Sequence, residues 1–309
     1  MRRLIFSGLA CASVAVAAEQ PALGLRIAVQ NFTTAQKVAQ ADVIVTGKVT
    51  DLEKETVQLS QFPGDKTKAA FTVAVVKVET ILAGVKNITH LKVAFVSQPG
   101  TGGGNGEELP LGGGRIRPGI GGGFGPVQLT EGQEGIFFLQ KHPGSDSYYT
   151  VPQGFTPVAA KSDEYKDELV KVKGITEAIA DPVKALKAEK AEARLSAAAA
   201  VVGKYRQPAR TGQSVEVAIP AEETKLIMKT LLEADWSVAD APAPGFDYQT
   251  SGPGLASLIG LYPGGNGIPA FQPKPGESYN GKWKETVKAW YEKGAEKFEI
   301  KKFVAKDKK

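Results

Sequence analysis

The chain has 309 residues, 42 % of them hydrophobic and 23 % charged. That is the balance of a soluble globular protein, not of a disordered, coiled-coil or polytopic membrane chain, and at roughly 150 residues per domain it suggests two domains. Thirty-eight basic against 33 acidic residues give only +5, too slight to point to nucleic acid, and two histidines with one cysteine exclude most zinc, haem, iron–sulfur and cysteine-nucleophile chemistry.

The chain opens on Met1-Arg2-Arg3, and Leu4 to Ala18 is apolar or small except for Ser7 and Ser13. A basic start, a short apolar stretch and a small-residue end form a secretory signal peptide, residues 1–18, cut after Ala17 or Ala18. The stretch is shorter than the roughly 20 residues a spanning helix needs, so no transmembrane segment is expected. The expected location is periplasmic or extracellular. A second reading of the same signal is a lipoprotein anchored through Cys11, after Leu9-Ala10, although Gly8 stands where a lipobox usually has Leu. Cleavage after Ala18 leaves no cysteine, so the mature chain must rest on its own core.

Strands dominate from Ala41 to Val151. Asp42–Thr50 is rich in β-branched residues, Val57–Phe62 is a weaker strand before the Pro63-Gly64-Asp65 turn, and Phe71–Glu79 is the strongest strand in the chain. Ile81–Gly84 reads as a brief apolar link. Leu91, Val93 and Phe95 share one face of the next strand, and Ile136–Leu139 and Tyr148–Val151 follow on either side of Pro143-Gly144. Between them, Gly100 to Gly125 holds 13 glycines in 26 residues. No phosphate-loop spacing is present there, and the segment reads as a long insertion between strands.

Helical spacing begins after Ser162. Asp163–Ala180 carries Leu169, Val172, Ile175 and Ile179. Val183–Tyr205 carries Leu186, Leu195, Ala199 and Val202, and Ala221–Ala234 carries Ile227, Leu231 and Ala234. A short apolar helix is expected at Leu255–Leu261. The last helix, Lys282–Lys297, sets Trp283, Val287, Trp290 and Tyr291 along one stripe that reads as core-facing. From Lys282 onward ten lysines face five acids, read as a soluble helix face with a frayed lysine tail.

The runs ADVIVTGKV, FTVAVVKVETILAG, LKVAFV and LTEGQEGIFFL, over about residues 35–155, resemble the strand order of netrin-like modules and tissue inhibitors of metalloproteinases. That resemblance implies a five-stranded oligonucleotide/oligosaccharide-binding (OB) type barrel of the kind found in bacterial exported proteins. The cysteines of the disulfide-bonded members are missing, so the zinc-chelating amino terminus of those inhibitors is not carried over. KAEARLSAAAAVVGKYR, ETKLIMKTLLEADW and GKWKETVKAWYEKG are similar to short HEAT-like helix pairs closed by a tryptophan-bearing helix, without a clean repeat.

No catalytic set is legible. His90 and His142 stand alone outside any H-E-x-x-H spacing and are expected at the surface, no metal or cofactor is expected, and G-x-S-x-G is absent. Ser145-Asp146-Ser147 reads as turn chemistry. The pairs Glu53/Glu55 and Asp163/Glu164 have the composition a glycosidase uses, but a solvated face or helix start has it too.

The expected class is therefore α+β: signal peptide 1–18, an OB-like barrel over 19–160 with a glycine-rich insertion at 100–125, and an all-α helical domain over 161–309. The expected function is a non-enzymatic binding or scaffolding protein of the cell envelope, with an unknown protein or polysaccharide partner. Lys48, Lys77 and Lys92 on one barrel face are the candidate binding residues. The alternatives are an envelope carbohydrate-acting hydrolase using a carboxylate pair, and a peptidase inhibitor.

Overall fold

The computed structural model describes residues 32–62, 64–96, 127–210, 212–237, 248–294 and 297–306. The signal segment with Cys11 and the glycine-rich insertion lie outside the described residues. The class is mixed α+β, with one large sheet of seven strands, a two-stranded ribbon and seven α-helices among the described residues.

Helix α1, Thr34–Gln40, opens the described chain. It starts on a capping box in which Thr33 accepts from the Gln36 amide and Gln36 accepts from the Thr33 amide. Strand β1, Val43–Leu52, then pairs antiparallel with two neighbours, β3 (Lys68–Ala83) and β5 (Glu134–Lys141). It can serve both because it is irregular against β3, with register shifts at Ile44/Val45, Thr46/Gly47 and Val49/Asp51. Gly47 is required there, since a Cβ at that position would lie 2.3 Å from the Lys77 carbonyl oxygen.

The remaining strands hang on this frame. The short β2, Val57–Ser60, pairs with β3, and β3 pairs with β4, His90–Val96. Strand β6, Tyr149–Thr150, meets β4 in parallel at Val93/Tyr149 and β5 antiparallel at two residue pairs. Strand β7, Val158–Ala159, pairs with β5. The stretch Ile81–Ala83, expected as a link, is instead the end of a 16-residue β3, because β1 continues pairing with it up to Ala83.

Helix α2, Tyr165–Ala180, closes over the sheet. Its Val172 is buried in the sheet core, with Leu169, Ile175 and Ile179 packed against it. The alternation expected for Leu91, Val93 and Phe95 is realised, all three lying in this core beside Val45, Val76 and Phe137. Each fully buried aliphatic or aromatic side chain contributes roughly 1.5–3 kcal/mol.

A second core lies among the later helices. The single helix expected over Val183–Tyr205 is broken into α3, Pro182–Leu186, and α4, Ala191–Tyr205. Arg194 accounts for the break, because its guanidinium binds the Ala188 and Glu189 carbonyls that a continuous helix would use internally. Helix α5, Ala221–Glu233, buries Ile227 and Leu231, with Ala234 just past its end. Helix α6, Gly252–Leu258, starts three residues earlier than expected on a Ser251 cap, and α7 is Tyr279–Glu292.

This half is not all-α. Strand β8, Ser214–Ala218, pairs antiparallel with β9, Lys301–Ala305. The expected lysine tail is therefore partly strand, because Phe303 packs beneath Arg206 and the ladder continues inward from Ile219 to Ile300, both buried.

Candidate functional site

The three candidate lysines do share one exposed face. Lys48 on β1 stands opposite Lys77 on β3 and opposite Glu134 on β5. Lys77 stands opposite His90 on β4, and Lys92 lies two residues beyond His90 on the same face. Two of the three charges are already engaged. Lys48 Nζ lies 2.7 Å from Glu134 Oε1, and Lys92 Nζ lies 2.7 Å from Glu53 Oε1. The hydrogen bond to each carboxylate, then its charge, raises both lysine pKa values, and the same contact lowers that of Glu134. The face is thus a solvated lattice of ion pairs, with Lys77 the one candidate lacking a carboxylate partner among the described residues.

Neither carboxylate pair is buried. Glu53 binds Lys92 and Glu55 is exposed, while Asp163 and Glu164 are exposed ahead of α2. Ser145 to Ser147 forms a turn, with the Ser147 amide donating to Ser145 Oγ. No group of three or more His, Cys, Asp or Glu capable of holding a metal occurs among the described residues.

His142 is not at the surface as expected; it is 5 % exposed. Its ring stands edge-on to Phe71 at 4.8 Å, and its Nδ1 accepts from the Gly144 amide at 3.1 Å. An acceptor Nδ1 belongs to the neutral ring, and burial lowers its pKa below the usual histidine value.

A recess lies elsewhere, between α1, α2, α3 and α4. It has a volume of about 880 Å³, within the range of roughly 300–1,000 Å³ typical of ligand sites. Its walls are short side chains, Ala178, Ala185, Ala188 and Ala197, with Ile175 beside them. Its mouth is charged with both signs, by Lys37, Glu164, Glu168 and Lys171. Thr34 Oγ1 donates to Glu168 Oε1 at 2.7 Å and so ties α1 to α2 across one end.

Gly174 sits in the interior of α2 on the wall of this recess. A glycine there costs about 1 kcal/mol of helix stability relative to alanine. Packing does not demand it, because nothing lies within 4 Å of the position its Cβ would take. The helix forgoes a side chain at the point where the recess is open.

The scaffold around the recess is held from behind by polar side chains. Lys204, on α4, donates to the Ala39 and Ala41 carbonyls at 3.0 and 3.3 Å. Arg210 binds the Gln40 carbonyl and, at 3.1 Å, Asp42. Both cations grip the C-terminal end of α1, where carbonyls lack helical partners and the helix dipole favours positive charge. Burial lowers the pKa of Lys204.

No protein-family model, no curated protein and no solved structure matches the chain. Reasoning from sequence found the lysine face and missed the recess. The one local signal for the recess is an isolated glycine inside the helical pattern of α2.

Proposed function

We propose that this chain is a non-enzymatic binding or scaffolding protein exported to the cell envelope, and that an amphipathic segment of a protein partner occupies the recess between α1 and α4. The carrying observation is Gly174, with open space in place of a Cβ on the wall of a recess of about 880 Å³. Short apolar walls accept protruding side chains, and the mixed charge at the mouth orients a segment carrying both signs.

The sheet is read as an OB-type barrel. The order of pairings supports this: β1 to β3, β3 to β4, β4 to β6 in parallel, β6 to β5, and β5 to β1. The helical region behind it holds the recess against the sheet through α1 and α2. Export is supported by the basic, apolar and small-residue sequence of residues 1–18.

The test is capture of partners from envelope fractions by the tagged mature chain, read by mass spectrometry, with three proteins side by side. The native chain and Gly174→Ala should retain the same partner, whereas Gly174→Leu should lose at least about tenfold of it while melting no lower than the native chain. Equal capture by all three proteins overturns the recess as the site.

A further inference from the structure

The ribbon of β8 and β9 has one sheltered strand and one open one. Phe303 lies beneath the Arg206 guanidinium, and on the other face Lys302 Nζ stands 5.6 Å from the centre of the Tyr205 ring. The C-terminal end of α4 thus clasps β9. Strand β8 pairs with β9 alone among the described residues, and Val215 to Ala218 are all exposed.

Two bonds fix the phase of the ladder. The Lys306 amide donates to the Gln213 carbonyl, and the Ile219 amide to the Ile300 carbonyl. Bonded and unbonded positions alternate in an antiparallel pair, so Val215 and Val217 also turn their backbone groups toward β9. Ser214, Glu216 and Ala218 turn theirs outward. This edge carries none of the usual protection, since β8 has no lysine, proline or bulge. Its one charge, on Glu216, is engaged by Arg206 at 2.9 Å and Lys301 at 3.9 Å. A two-stranded ribbon is marginal by itself, and added strands stabilise it.

We propose that β8 pairs antiparallel with β8 of a second copy of this chain, about a two-fold axis at Val215, independently of the recess beside Gly174. Outward backbone groups must meet outward groups, and the neighbouring registers fail on particular residues. One centred on Glu216 sets that carboxylate directly against its own copy, a destabilising like-charge pair. Registers centred on Val217 or Ala218 require an N–H from Pro220, which has none. One centred on Ser214 runs into Gly212, whose φ of 83° is not that of a strand.

Across an axis at Val215, the strand complements itself. Val215 meets Val215, an apolar β-branched pair suited to a sheet. Glu216 meets Ser214, whose hydroxyl already accepts from the Ala209 amide at 2.7 Å and keeps its own proton to donate. The backbones of Ser214 and Glu216 exchange N–H···O bonds on either side of the axis, and no two like charges stand opposite. So short an edge buries less than the roughly 800 Å² per partner of a standard interface, so the dimer is weak, with a Kd on the order of 10–100 µM.

The experiment uses the mature protein from Glu19, which contains no cysteine because Cys11 precedes it. Sedimentation equilibrium should show a monomer–dimer equilibrium in that range of Kd. Val215→Lys, which sets like charges across the axis from an exposed position, should weaken it at least about tenfold at the melting temperature of the native protein. Glu216→Pro removes an outward N–H and no bond to β9, and should weaken association at least about tenfold more than Glu216→Ala does. Under mild oxidation Val215→Cys should give a disulfide-linked dimer, because an unbonded antiparallel pair holds its Cα atoms about 4.5 Å apart. Val217→Cys, at a position of similar exposure but about 13 Å from its counterpart in this register, should link at least about tenfold more slowly. The proposal is overturned if the native protein stays monomeric up to about 500 µM, if the two cysteine variants link at equal rates, or if Glu216→Pro associates as Glu216→Ala does.

Discussion

Along β5 four consecutive residues, Ile136, Phe137, Phe138 and Leu139, are buried in the sheet core, whereas along α4 the buried run is Ala197–Ala200, Val201, Val202 and Gly203. The first region fills space with large side chains, brought together by strand register. The second lets helices approach closely and leaves the bulk to others, chiefly Trp236 and Trp283, whose rings meet edge-on at 5.4 Å. Polar atoms are distributed in the same contrasting way. The helical core buries two indole N–H groups on backbone carbonyls and the carboxylate of Glu223, which accepts from Tyr205 Oη at 2.6 Å. Burial and that hydrogen bond push the Tyr205 pKa upward. The sheet region thus depends on strand register, which gathers large side chains and brings backbones close at Gly47, and the helical region on a few large side chains with satisfied polar ends.

Two substitutions test this contrast most severely. Trp283→Ala removes the central ring of the helical core and leaves the Leu261 carbonyl without its donor. It should cost about 3–5 kcal/mol in urea unfolding. Near-UV circular dichroism of the variant should show whether the sheet core survives it, and loss of both regions in a single transition would make them one cooperative unit. In the sheet the comparable weak point has no side chain. Gly47→Ala should cost about 1–3 kcal/mol, since β1 and β3 must separate to admit the Cβ against the Lys77 carbonyl. A neutral result there would mean that backbone approach does not govern the sheet.

How far each region can be read from sequence follows from the same difference. The alternation of Leu91, Val93 and Phe95 and the helical spacing of Ile227, Leu231 and Ala234 are local signals that predict the observed burial of those residues, but alternation does not predict that of Ala94, which packs with Leu59 and Phe71 in a separate small cluster. The ribbon of β8 and β9 joins two five-residue segments far apart in the chain, one of them hidden among lysines, so no local window exposes it. The break between α3 and α4 depends on where Arg194 reaches, which spacing does not encode. Helix α1 was legible in principle, from Thr33 and Gln36 three residues apart, but at seven residues it shows little periodicity. Of the candidate sites, the lysine face follows from strand alternation, while its neutralising acids come from other strands or turns. The large recess is invisible because alanines from separate helices make it. His142 is buried by Phe71 from a different hairpin.

A gentler substitution separates the recess from both cores. Gly174→Ala should stabilise the protein by about 1 kcal/mol, because the helix gains propensity and the methyl group meets nothing. Destabilisation would mean that the wall of the recess is closed in solution.

The smallest expected effect belongs to His142, the buried polar group at the edge of the sheet. The neutral ring accepts from the Gly144 amide and lies edge-on to Phe71, and burial holds its pKa below the ordinary 6.5. The unfolded chain therefore takes up a proton at a higher pH than the folded one. Stability is fully present above pH 6.5, falls as pH drops from there through the lowered folded value, and is constant below it. Urea midpoints of the native protein and of His142→Asn, measured from pH 8 to 5, isolate this contribution, since His90 is common to both and cancels. The native protein should lose stability relative to the variant as pH falls below 6.5. A difference that does not change with pH would mean that the ring is solvated and that the Phe71 contact does not exclude water from it.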